Sequence, residues 1–202
     1  MGQKSSSQNQ SQQQFIPPAN HDLPPLSFHS KHGVNIKLTE EAATAIRDGS
    51  YCNGILFTHR PVMVGERICL KIKTLSTQWS GALKIGFSAH DPSRYKGRLP
   101  KHSCPDLVNK SGFWCKSLGD HKLNTNSIFH YYVSAKGDVH LGVDGGDFGI
   151  FIRGIDTRQP LWGLIDLYGN CTSIELMDSR RSSQNINSTR YPSPSAPPCE
   201  YK

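Results

Sequence analysis

Apolar and polar residues alternate at a period of two in four windows: Val34 to Leu38, Arg67 to Ile72, Val139 to Val143 and Thr172 to Leu176. Successive side chains of a strand point to opposite faces, so this pattern predicts strands with one buried face. No window carries a sustained helical stripe. Turn chemistry separates the runs at short intervals, at Asp48-Gly49, Val64-Gly65, Lys136-Gly137-Asp138, Asp144-Gly145-Gly146-Asp147 and Tyr168-Gly169-Asn170. Glycine and its Asp or Asn neighbours supply the positive φ that tight hairpins require. Roughly ten short strands at this spacing predict an all-β fold, a two-sheet antiparallel β-sandwich.

Two stretches depart from simple alternation. Leu161 to Tyr168 is apolar on both faces apart from Asp166, as suits a central strand buried on both sides. Asp166 then needs a hydrogen-bonding partner in the interior. Ser88 to Leu123 holds Pro92, Pro100 and Pro105, which excludes one continuous strand. A segment of that length is usually functional or contains a short element of its own, and it is the first place to look for a ligand.

Composition sets the boundaries. Residues 1–27 and 179–202 are rich in Ser, Pro, Asn or Gln and poor in apolar groups, so both are expected to be disordered tails around one domain at 28–178. No apolar run reaches bilayer-spanning length and Met1 to Gln14 has no apolar core of a secretory signal. A reducing, cytoplasmic setting is therefore expected, with Cys52, Cys69, Cys104, Cys115, Cys171 and Cys199 as free thiols and the acceptor-like triplets at Asn109, Asn170 and Asn187 unused. The formal net charge is +7. Its one local cluster, Arg94, Lys96, Arg98, Lys101 and His102, is read as an exposed loop: either a solvated face or a contact for an anionic partner or a membrane. Nucleic acid is not an expected partner.

Catalytic patterns fail on inspection. Gly86-Phe87-Ser88-Ala89-His90 approaches a nucleophile elbow, but His90 replaces the last glycine and an all-β chain offers no strand-to-helix turn. Asp147-Phe148-Gly149 spells a kinase tripeptide without the accompanying phosphate loop. The Asp144–Asp147 loop is too poor in acidic ligands for calcium, and no Cys/His spacing suits zinc. No catalytic residue, metal or cofactor is expected. Trp79, beside Gly81 in what reads as a strand running to Phe87, is either a core anchor or a ligand contact, and the same alternatives stand for Phe113-Trp114 and Leu161-Trp162.

The motifs also carry a family resemblance. Tyr51-Cys52-Asn53-Gly54, Arg60-Pro61-Val62, Gly65-Glu66-Arg67-Ile68 and Trp79-Ser80-Gly81-Ala82-Leu83 resemble the first half of a Neuralized homology repeat. Cys104-Pro105-Asp106-Leu107, Gly112-Phe113-Trp114, Gly154-Ile155-Asp156-Thr157, Pro160-Leu161-Trp162 and Asp166-Leu167-Tyr168-Gly169-Asn170 resemble the second. The resemblance implies a SPRY-like sandwich that binds protein or peptide partners through its loops. In that family the partners are cytoplasmic tails of Notch ligands, destined for ubiquitylation and endocytosis. Family members usually end in a RING finger, whose cysteines have no counterpart after Asp178. An adaptor is therefore expected, the alternatives being a truncated RING-type E3 ligase or a phosphoinositide- or carbohydrate-binding sandwich. Trp79, Arg94, Tyr95, Trp114 and Asp156 are expected to border the partner surface.

Met1-Gly2-Gln3-Lys4-Ser5-Ser6 fits the N-myristoylation pattern, with Gly2 as acceptor. One acyl chain binds membrane marginally, so the basic loop would have to supply a second contact at the plasma membrane or endosomes.

Overall fold

The computed structural model describes residues 23–39, 41–119 and 124–178; of the expected tails 1–27 and 179–202, residues 1–22 and all of 179–202, with Gly2, Asn187 and Cys199, lie outside the described residues. Among the described residues eleven strands form two antiparallel sheets. The larger sheet runs, in spatial order, β1 (Ile36–Leu38), β2 (Thr44–Arg47), β11 (Cys171–Met177), β4 (Ile68–Leu75), β7 (Ile128–Val133), β8 (Val139–Val143) and β9 (Gly146–Ile152). The smaller runs β3 (Ile55–Phe57), β10 (Trp162–Asp166), β5 (Lys84–Ser88) and β6 (Phe113–Ser117). All four alternating windows become strands, β1, β4, β8 and β11, and the sandwich is the expected one.

The alternation explains the core. Ile68, Leu70 and Ile72 of β4 and Phe129, Tyr131 and Val133 of β7 point inward and meet Leu56, Ile85, Phe87 and Ile165 of the smaller sheet. The rings of Phe87 and Tyr131 pack edge to face across the interface, 5.4 Å apart. Each such buried side chain contributes about 1.5–3 kcal/mol of transfer free energy.

The smaller sheet is covered on its other face as well. Ile55, Phe57 and Leu164 pack there against Leu99, Leu107 and Phe113. Leu99 and Leu107 come from the proline-containing segment, which folds back over the sheet and holds a 3-10 turn at Pro92–Arg94 as well as β6. This second layer is why every residue of β10 is buried. It also supplies the partner that Asp166 requires: Ser103 donates to Oδ2 from its amide at 2.9 Å and its hydroxyl at 2.8 Å. Lys84, directly across the β5–β10 ladder, holds its ammonium 3.8 Å from the same oxygen and donates to the Cys104 carbonyl.

One sequence expectation is corrected. Trp79 and Gly81 precede β5 and are not inside it. Gly81 has φ +102°, and a Cβ there would meet the Tyr168 ring at 2.6 Å, so the segment must turn before it enters the ladder. Gly86 is within the strand, where a Cβ would collide with the Trp114 carbonyl of β6. The close approach these glycines permit is by the chain itself. Of the cysteines, Cys52, Cys69 and Cys171 are buried, Cys115 is half-buried and Cys104 is exposed, all as free thiols.

Candidate functional site

At the Ser88–Trp162 end of the β5–β10 pair a cavity of about 580 Å³ opens between the proline-containing segment and the loop that leads into β10. Its walls are His90, Tyr95, Phe113, Pro160 and Trp162; its cations are Arg94, Lys96 and Lys110. Local chemistry places each. Asp91 caps the 3-10 turn, its Oδ1 accepting from the Ser93 amide at 2.9 Å, with Pro92 supplying the helical φ of the first position. The turn ends at Tyr95, whose extended backbone sends the ring onto the small apolar cluster outside the four-stranded sheet.

Two ammonium groups also approach Tyr95, Lys31 Nζ at 5.9 Å and Lys110 Nζ at 5.7 Å from its ring centroid. Lys31 is fixed by donating to the Gly97 carbonyl at 2.5 Å, and Lys110 sits 3.5 Å from the Tyr95 hydroxyl. The His90 ring lies 4.8 Å from that of Phe113, and its Nε2 is 2.8 Å from the Ser111 carbonyl. Ser88, the would-be nucleophile, is spent locally: its Oγ accepts from the His90 amide and donates to the His90 carbonyl. His29, 3.0 Å from Ser93 Oγ, has its pKa lowered by burial, against the opposing pull of Asp91.

Of the five residues expected to border the partner surface, Arg94 and Tyr95 line this cavity. Trp79 lies toward the opposite, Lys84–Asp166 end of the strand pair, 37% exposed, its ring 5.4 Å from Tyr51. Tyr51 in turn contacts His102 and Tyr168, and Tyr168 covers the Lys84 ammonium at 3.9 Å. These rings fill one another's space, so Trp79 caps an aromatic cluster and is not a core anchor. Trp114 is half-buried against the main core, opposite Phe87 on β5. Asp156 is engaged by its own turn, accepting from Arg158 Nε at 2.8 Å, Nη2 at 2.9 Å and the Arg158 amide at 3.1 Å, bonds that hold its pKa well below the carboxylate range.

The basic cluster also divides. Arg94 and Lys96 belong to the cavity, whereas His102 stacks on Tyr51 in the other cluster. The sequence reading missed Lys31, His90, Lys110 and Pro160, and no local signal marks them: Lys31 and Lys110 reach Tyr95 from 64 and 15 residues away. Among the described residues no three His, Cys, Asp or Glu side chains converge to hold a metal ion, and no helix is long and apolar enough to cross a membrane.

The Neuralized family model matches residues 28–178. The chain belongs to the Neuralized family. It is 46% identical to Protein neuralized of Drosophila melanogaster over 163 residues, which are 81% of this chain and 22% of the fly protein. The human E3 ubiquitin-protein ligase NEURL1B is 37% identical over 154 residues, 75% of this chain and 28% of the ligase. This Neuralized chain thus spans less than a third of either relative. The crystal structure of the Drosophila melanogaster neuralized-NHR1 domain superposes with a TM-score of 0.76 at 46% identity, covering 77% of this chain and 99% of that one. The SPRY domain of human HERC1 shares the fold alone, with a TM-score of 0.53 at 11% identity over 76% of this chain and 99% of that domain.

Proposed function

We propose that this Neuralized chain is a protein-interaction module that docks a segment of a partner protein in the cavity beside Tyr95 and Trp162. The partner we assign is the cytoplasmic tail of a Notch ligand, and the setting ubiquitin-dependent endocytosis. The observation that carries the docking step is the cavity itself. About 580 Å³ with aromatic walls and a cationic rim accommodates a few side chains of an extended segment. The setting rests on the family resemblance and on the ligase named among the relatives. In this reading the chain supplies partner capture, and Gly2 acylation holds it at the cytoplasmic face of the plasma membrane or of endosomes.

The test is fluorescence anisotropy of the purified chain with labelled peptides that tile Notch-ligand cytoplasmic tails. At least one peptide binds, and Tyr95→Ala weakens it about tenfold or more, the loss typical of a buried aromatic anchor. Binding that ignores Tyr95→Ala and Lys110→Glu, or no binding by any tile, removes the proposal. Metabolic labelling with an alkynyl fatty acid, lost in Gly2→Ala, checks the membrane tether.

A further inference from the structure

The cations near Tyr95 are set apart by their grouping at one concave site. Some exposed cations elsewhere meet carboxylates, Lys37 with Asp48, Lys73 with Glu175, Arg153 with Asp138 and Arg158 with Asp156, while Arg67, Arg98, Lys101, Lys116 and Lys136 have no ion pair among the described residues and are scattered over the surface one or two at a time. At the cavity, Arg94, Lys96 and Lys110 face a single carboxylate, Asp91. That carboxylate is already committed to capping the 3-10 turn, and it stands 3.8 Å from Arg94. Lys96 and Lys110 have no carboxylate partner among the described residues, and Lys31 adds a fourth cation 5.9 Å from the Tyr95 ring centroid. Thus two ammonium groups lie 5.9 and 5.7 Å from the Tyr95 ring centroid, and Arg94 and Lys96 line the same cavity beside the apolar wall of Phe113, Pro160 and Trp162.

Gathering like charges costs repulsion, which one carboxylate, Asp91, offsets only in part. An incoming anion relieves it, and the low-dielectric aromatic wall strengthens the attraction. Building on the docking reading above, we infer that the cavity selects acidic peptide segments, with an apolar side chain against Trp162 and Pro160 and carboxylates facing Arg94, Lys96 and Lys110. A peptide fits better than a membrane surface. The cations line a concave site and do not form a flat face, and Lys31 is already engaged by the Gly97 carbonyl.

The probe is a phage-displayed random dodecapeptide library panned on the purified chain and on its R94E/K96E/K110E variant. All three side chains are exposed, so the variant should keep the native near-ultraviolet circular dichroism; R94Q/K96Q/K110Q serves if it does not. Peptides enriched on the native chain should carry a clear excess of Asp and Glu together with an apolar residue. That excess should vanish or invert on the charge-reversed chain, and binding of a selected peptide should weaken about tenfold or more between low and physiological salt. Selected peptides without an acidic excess would overturn the inference while leaving docking at the cavity intact. An acidic excess that survives charge reversal would overturn it by placing the acid-binding site elsewhere. Vesicles containing phosphatidylinositol 4-phosphate that capture the native chain but not the variant, with no acidic peptide enriched, would overturn it in favour of a membrane. Selected peptides that bind Tyr95→Ala as tightly as the native chain would instead defeat the docking reading itself.

Discussion

Asp166 shows what a single buried charge demands. Its side chain is fully enclosed, and it relies on two Ser103 donors and the Lys84 ammonium. Asp166→Leu leaves that ammonium without its counter-charge in the interior, a loss of about 3–5 kcal/mol. Lys84→Met/Asp166→Leu removes both charges and should recover most of it, since a well-packed apolar pair often matches a buried ion pair. Urea midpoints of the three proteins check this; a double variant no more stable than Asp166→Leu contradicts it. The thiols give a second consequence at this scale. Burial pushes both Cys115 and Cys171 up to about 12 from the ordinary 9.0. Between those values the unfolded chain has released protons that the folded chain retains, so folding stability is fully present below about pH 9 and is lost as pH rises toward 12. The expected slope is about 1.4 kcal/mol per pH unit for each thiol. Cys115→Ala/Cys171→Ala should lower stability at neutral pH through lost packing yet flatten this alkaline slope, as urea titrations from pH 7 to 10.5 would show.

The segment leading into β1 illustrates how one side chain ties elements together. The Arg60 guanidinium donates to both carboxylate oxygens of Glu66, at 2.6 and 3.0 Å, and twice to the Pro24 carbonyl, at 2.9 and 3.1 Å. Both side chains of the ion pair are largely enclosed, and Phe28 bridges to Thr58 just beyond. Arg60→Ala should therefore cost about 3 kcal/mol by stranding the Glu66 carboxylate. Arg60→Met/Glu66→Leu should restore stability but not the tether to Pro24. Faster amide exchange at Ser27, whose amide donates to His59 Nδ1, and at His59, whose amide donates to the Ser27 carbonyl, should persist in both variants; unchanged exchange would show that Arg60 does not hold this segment. Element identity was legible in the sequence wherever a period of two met a half-buried face, as in β4 and β8. The doubly apolar run of β10 was legible for a related reason, because nothing on either side of it could face water. The cavity was not legible. Period two states which face a residue takes but not which strand lies beside it. Trp79 and Trp162 therefore read alike, although one caps an exposed ring cluster and the other lines the cavity, and Lys31 carries no local mark of its place against Tyr95.

At the scale of the molecule, both sheets are closed by the last two strands. In the larger sheet β11 lies between β2 and β4, pairing Ile174 with Ala45 and with Ile72. In the smaller, β10 lies between β3 and β5, pairing Leu164 with Phe57 and with Gly86. Neither β2 and β4 nor β3 and β5 are neighbours without them. Until roughly the final twenty residues of the domain are in place, the early strands have unpaired backbone groups and half a core, the situation that makes nonlocal sandwiches fold on the millisecond-to-second scale. Each early strand pair could persist locally, as β7–β8 and β8–β9 are joined by short turns, but neither sheet could close. A chain ending at Gln159 should consequently lose all cooperative unfolding, because removing β10 and β11 opens both sheets at their centres. Removal of β1 and the residues before it, at one edge of the larger sheet, should leave a folded if weakened domain. Thermal melts followed by near-ultraviolet circular dichroism separate the outcomes. A cooperative transition in the chain ending at Gln159 would mean that β3 to β9 form a unit of their own, which the strand order forbids.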